Sequence, residues 1–570
     1  MNGLNLSDYI VFIIYFIVVS SYGIWVYNRK KKAVMDTHDF FLAEGSLTWW
    51  AIGASLIASN ISAEQFIGMS GNGFSIGMAV AAYEWIAALA LIIVAVWFIP
   101  VYLKNKIFTM PQFLQTRYNQ TVALIMAVFW LFLYVFVNLT SILYLGAIAI
   151  NNLTGGSDNQ FHIIVLLLSL FAVIITLGGM KVIGFTDVIQ VTVLIIGGLA
   201  TTYVALLVVS REFGYGKNVF AGFNALISNA PDHFHMIFEK PTATSSQQQV
   251  NNYLTIPGLL SYAAGMWILN LNYWGCNQYI TQRALGANLS TARKGILFAA
   301  FIKLLMPVIV MLPGIAAYVL HKKGLLQSEM MAHSKNGQVV SDNAYSAILG
   351  YLPNGLIGLS LAALTAAIVA SLAGKANSIS TIFTLDIYKK YINKDASEKK
   401  MVWTGRIVIW AAMLLSIALT WKDALGIGGA GGFTFIQKYT GFISPGVFAV
   451  FILGFFWKRT TGAAAVAGVI TGFLLSVLFN VYAPEWFGPD TLLYTAYKNG
   501  AGAYEIPFHI CMGLAFGFTV LLMVAISLAG PKINPKAFAL DKAMFRIEPK
   551  VLALIVLILL ILSVIYVRFW

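Results

Sequence analysis

Apolar stretches, each about the length needed to cross a bilayer, recur from one end of this chain to the other. About fourteen can be marked, from 7–28 to 550–568. Two of them are interrupted. In 48–72, Asn60-Ile-Ser-Ala-Glu64-Gln65 separates apolar flanks, and in 255–283 the run Asn270-Leu-Asn272-Tyr273-Trp274-Gly275-Cys-Asn277-Gln278 does the same. Hydrocarbon offers no partner to backbone groups freed by such a break, so it is tolerated only where protein or a water-filled cavity surrounds it. A pair of discontinuous helices is a mark of secondary transporters, whose substrate and coupling ion sit between them near the membrane midplane. The second interruption comes five spans after the first, and an odd number of crossings inverts the second copy. The pattern therefore predicts one all-α polytopic membrane domain over 1–570. It holds two five-helix repeats of opposite topology, 48–210 and 255–456, with extra helices at 7–28 and 461–568.

Composition agrees: 59% of the 570 residues are hydrophobic and only 10% are charged, outside the range of soluble domains. The net charge of +14 needs no nucleic-acid partner. Most of the 36 Lys and Arg fall in alternate loops, including Arg29–Lys32, Lys104, Lys106, Arg117, Lys389, Lys390, Lys458 and Arg459. Positive residues gather on the cytoplasmic side, where anionic lipid headgroups supply the counter-charge. That placement predicts a multi-pass plasma-membrane protein with both termini extracytoplasmic. Cys276 and Cys511 both lie in apolar stretches, so no disulfide framework is expected. The glycine run 426–432 opens a membrane helix and follows no strand, which reads as hinge or close packing, not a phosphate loop. With no His/Cys cluster, nucleophile elbow or Walker motif, an enzyme is not expected.

An ionisable residue within the membrane costs about 2.5–3.5 kcal/mol on insertion scales and needs a reason. Glu84, Lys303, Asp187 and Lys375 stand out on that ground. Around the interruptions collect Asn60, Gln65, Glu84, Asn270, Lys303 and Gln437, with Tyr83, Tyr273 and Trp274 among them. Carboxylate, amide and ammonium groups hydrogen-bond neighbouring hydroxyls, and a ring offers a flat apolar surface to a pyranose. The set suits a polyol better than an amino acid.

Four segments carry a resemblance: Gly53-Ala-Ser-Leu-Ile-Ala-Ser-Asn-Ile-Ser-Ala-Glu-Gln-Phe-Ile-Gly-Met-Ser, Tyr83-Glu-Trp, Asn277-Gln-Tyr-Ile and Ile436-Gln-Lys-Tyr-Thr-Gly. They closely resemble the solute:sodium symporter family, in its bacterial sodium/galactose-type members, and the resemblance runs from about residue 7 to 460. It implies a LeuT-type fold and sodium-driven hexose uptake by alternating access. By that resemblance Gln65, Glu84, Asn270, Lys303 and Gln437 hold the sugar with Asn60 nearby. Tyr273 stacks on it and closes the inner gate with Trp274 beside it, and Met69, Tyr83 and Phe433 form an outer hydrophobic gate. A serine expected one turn after Glu84 is Ala87 here, which leaves galactose, glucose and other hexoses open.

The same resemblance places Na+ on the carbonyls of Ala58, Ile61 and Ala367 and on two consecutive hydroxyl residues. Here those two are Ala370 and Ser371, so the set is one oxygen short. Relatives with a second sodium use hydroxyls opposite the equivalent of Asp187, and those positions are Ala370, Ala373 and Gly374. Ala367, Ala370, Ser371, Gly374 and Lys375 share one helix face by their spacing. The expectation is that the Lys375 ammonium takes the second cation's place opposite Asp187, giving one sodium per sugar. The rival is that Lys375 reaches Ser371 and replaces sodium itself, making transport proton-coupled or uncoupled. A sugar-binding membrane sensor and a channel are the remaining alternatives.

Overall fold

A computed structural model describes residues 5–30, 40–41, 47–154, 156–331, 339–427 and 432–570. The basic residues Lys31 and Lys32 and positions 428–431 of the glycine run lie outside them. Among the described residues, twelve helices are long and apolar enough to cross a membrane. A thirteenth is a bent pair, Gln247–Ala263 and Gly265–Cys276, meeting at 77°. The count of fourteen is thus not reached. The difference is the stretch 48–72, which forms two pieces each too short to cross alone: Trp49–Asn60, then Glu64–Met69 continuing into Ser70–Ser75.

That first break is narrower than the polar run suggested. Trp49–Asn60 stops at Ile61, whose backbone is extended (φ −80°, ψ 119°). The chain is helical again by Glu64 because Ser62 starts a new turn. Its carbonyl accepts from Gln65 N and its hydroxyl from Glu64 N, while its own N–H donates to Gln65 Oε1 at 2.9 Å. The second break also differs from expectation. Asn270 to Cys276 is helical, and the discontinuity falls at Asn277 (φ −100°, ψ 127°), before Gln278–Leu285. The polar residues find donor partners while staying helical: Asn270 Nδ2 donates to Met266 O, and Asn272 Nδ2 to Ser444 Oγ.

The chain divides into two compact units. The first comprises 1–81, 131–235 and 301–436. Its centre is Leu356–Thr381, buried along almost its whole length and packed by Gly179–Glu212, Trp49–Asn60 and Leu6–Lys30. Small residues permit the approach: a Cβ on Gly197 would stand 2.8 Å from Ala363 Cβ. The start of the central helix is capped from the N-terminal helix, since buried Asp8 accepts from Gly355 N (2.7 Å) and Gly358 N (2.9 Å). A carboxylate at a helix N-terminus also complements its dipole.

The second unit comprises 82–130, 236–300 and 437–570. Two arginines order it by donating to carbonyls. Buried Arg117 reaches Gly454 O, Trp457 O and Thr460 O, and Arg293 reaches Ala95 O, Met544 O and Arg546 O. The late helices Gly462–Val477 and Phe508–Leu528 pack together here, and Gly472 lies against Gly446 so closely that a Cβ would fall 2.4 Å from its Cα.

Candidate functional site

The expected cation ligands all lie in the first unit. Where Trp49–Asn60 ends, the last-turn carbonyls lose their helical partners. Ile61 N takes up Ile57 O, and Ser371 Oγ donates to Ser59 O at 3.0 Å, bringing the central helix onto the break. Ala58, Ile61, Ala367, Ala370 and Ser371 are all buried. Lys375, 2% exposed, lies one turn further on and donates to Ser371 Oγ at 3.0 Å. A serine hydroxyl has two acceptor positions, so the lysine occupies one and leaves one for a cation. Asp187, on Gly179–Glu212, accepts from Ser55 Oγ, and Ser59 Oγ donates to Ser55 O. Hydroxyls thus line one side of Trp49–Asn60 from Asp187 to Ser371.

Glu64 was given no role in the sequence reading, although it lies in the first polar interruption. It is buried, and one of its carboxyl oxygens is enclosed. A carboxylate in an otherwise apolar stretch was the signal that could have found it.

Of the expected sugar ligands, Asn60, Gln65 and Lys303 belong to the first unit. Lys303 Nζ, 1% exposed, donates to Asn60 Oδ1 at the end of the broken helix. Because Gln65 Oε1 is taken by Ser62, its NH2 is the end left to donate outward. Glu84, Asn270, Tyr273 and Gln437 belong to the second unit. Glu84 stands in the first turn of Ala82–Ile93, and Asn270 and Tyr273 are a turn apart on Gly265–Cys276. The rings of Tyr273 and Trp274 meet edge to face at 5.1 Å, and Tyr273 meets Tyr279 at 5.6 Å. Gln437 is half-buried, and Ala87 is buried.

Of the expected gate residues, Met69 and Phe433 fall in the first unit, where Gly68 gives Phe433 its place. A Cβ on Gly68 would be 2.6 Å from the nitrogen and Cβ of Phe433. Tyr83 and Trp274 fall in the second unit. Tyr83 Oη pairs with His509 Nε2 at 3.0 Å, a partner on a late helix that no sequence motif indicated.

The Sodium:solute symporter family model matches residues 40–472 of the chain. A sodium/glucose cotransporter of Vibrio parahaemolyticus is 40% identical over 575 residues, covering 100% of this chain and 99% of that one. The human sodium/myo-inositol cotransporter 2 is 34% identical over 499 residues, covering 84% of this chain and 70% of its own. Among solved structures, a Na+-coupled sialic acid symporter in a substrate-bound outward-open state is similar in fold. Its TM-score is 0.75 at 19% identity, covering 93% of this chain and 99% of that one.

Proposed function

Since the chain belongs to the Sodium:solute symporter family and is a sodium-coupled, multi-pass membrane symporter with a LeuT-type fold, we propose that its solute is a hexose, glucose or galactose. The proposal includes one sodium per sugar, both termini extracytoplasmic, and five-helix repeats at 48–210 and 255–456 within one transport domain. Asn60, Gln65, Glu84, Asn270, Lys303 and Gln437 hold the sugar hydroxyls, Tyr273 covers its apolar face, and Met69, Tyr83, Phe433 and Trp274 gate access. Sodium binds the carbonyls of Ala58, Ile61 and Ala367 and the hydroxyl of Ser371.

The observation that carries this reading is the end of the first broken helix. There the buried Lys303–Asn60 pair and the Ser371–Ser59 contact flank the same chain break. A solute that competes for Lys303 and Asn60 and an ion that takes up nearby carbonyls would each favour the other's binding, which is what coupling requires. Lys375 is proposed to stand in for a second cation opposite Asp187. Replacement of sodium itself by Lys375 is not favoured, because the family is sodium-coupled.

One charge moved across 100 mV, with a tenfold sodium gradient, supplies roughly 4 kcal/mol, enough for a hexose gradient of several hundred-fold. The test is uptake of labelled glucose and galactose by proteoliposomes in sodium or choline. Saturable, sodium-dependent accumulation of either is expected. Sodium-driven transport of other solutes with no hexose uptake would defeat the substrate assignment.

A further inference from the structure

The late helix Phe508–Leu528 lies beyond the matched region 40–472, and no role in transport has so far fallen to it. Near its start is His509, wholly buried and hydrogen-bonded at both ring nitrogens. Nε2 lies 3.0 Å from Tyr83 Oη, and Nδ1 lies 3.0 Å from Ser261 Oγ. A neutral imidazole offers one donor and one acceptor, and each hydroxyl can take either part, so both tautomers complete the chain Tyr83–His509–Ser261. The ring also packs on that of Tyr83, with centroids 5.6 Å apart.

These contacts join three pieces of the second unit. Tyr83 precedes Glu84 in the first turn of Ala82–Ile93. Ser261 lies on the arm of the bent pair before the 77° bend. Just after the bend comes Gly265, where a Cβ would stand 2.6 Å from the Cα and Cβ of His509. Backbone therefore meets backbone at the bend itself, and the arm that follows carries Asn270 and Tyr273.

The geometry points to His509 as a positioning residue, which fixes the ring of Tyr83 and ties its setting to the bend of the helix bearing Asn270 and Tyr273. This rests on the proposal that Tyr83 is an outer gate. Loss of the contact frees the ring to leave that setting without sugar. Sodium can then cross uncoupled, and hexose must restore an order that the protein no longer supplies.

The test compares the full chain with Tyr83→Phe, His509→Phe, His509→Gln and the double variant Tyr83→Phe/His509→Phe in proteoliposomes. It follows hexose uptake from outside and labelled sodium entry without hexose. His509→Phe is expected to raise hexose KM about fivefold, the factor for one buried hydrogen bond. It should also open a sugar-independent sodium flux with little change in kcat. His509→Gln, which keeps a donor and an acceptor, should recover part of the KM shift. The double variant should be no worse than His509→Phe, since both remove the same bond.

If Tyr83→Phe shifts KM and the sodium flux while neither His509 variant does, the positioning role is overturned and the gate reading stands. Independent, multiplying effects in the double variant also overturn it. If no variant moves either quantity, the gate reading fails and takes the inference with it. Should His509→Phe not assemble, His509→Gln alone and combined with Tyr83→Phe completes the same cycle.

Discussion

Replacing Lys375 by methionine removes a positive charge from the proposed sodium site while keeping the length of an apolar side chain. Lys375 Nζ stands 3.0 Å from Ser371 Oγ. A sodium ion on the same oxygen would lie about 5 Å from the ammonium, adding a cation–oxygen bond to the hydrogen bond. At an effective dielectric of about 20, two unit charges so placed repel by about 3 kcal/mol. Reorientation of the surrounding dipoles offsets part of this. The net gain on substitution is about 1–2 kcal/mol, roughly a tenfold lower half-saturating sodium concentration. The assay is initial hexose uptake in proteoliposomes at fixed hexose, titrated with sodium at constant ionic strength. An unchanged or higher sodium requirement in Lys375→Met would refute the placement of sodium on Ser371. Transport that becomes independent of sodium would do so too.

Lys303→Gln removes a charged donor proposed to bind a sugar hydroxyl and should raise hexose KM ten- to a hundredfold, about 1.5–3 kcal/mol, in the same uptake assay. Gly68→Ala drives a methyl group into the backbone of Phe433 and should cost about 1–3 kcal/mol, read as a lower thermal midpoint in detergent with loss of uptake. His233, on the segment Pro231–Phe234, bonds Phe74 O at 2.9 Å, and burial pushes its pKa below the ordinary 6.5. The folded form then holds fewer protons than the unfolded one. Its contribution is full above about pH 6.5 and declines as pH falls below that value. Hydrogen exchange around 72–77 and 231–235 should accelerate toward pH 5.5, and less so in His233→Gln.

The apolar spans and both interruptions could be read from residue order, because lipid forces length and polarity to match the fold. Where each helix ends could not. The first break shrank to Ile61 and its neighbour because Ser62 and Gln65 cap the new helix with their own side chains. The second moved to Asn277 because Asn270 and Asn272 find partners while remaining helical. The bend at Ala264 carries no polar or proline signal, and beside it Gly265 packs against His509, more than two hundred positions away. Arg117 reads as a loop charge, yet it and Arg293 both serve as carbonyl caps inside the second unit. Such long-range pairings leave no local period, so hydropathy does not announce them.

The grip of Asp8 on Gly355 and Gly358 makes a largely exposed helix a lever on the most enclosed described span. Bilayer thickness, a neighbouring protein or an attached fluorophore, by tilting Leu6–Lys30, would strain the segment bearing Ala367 and Ser371 without touching either. With sodium on Ser371 as proposed, a change of bilayer thickness is expected to shift half-saturating sodium, and less so in Asp8→Ala.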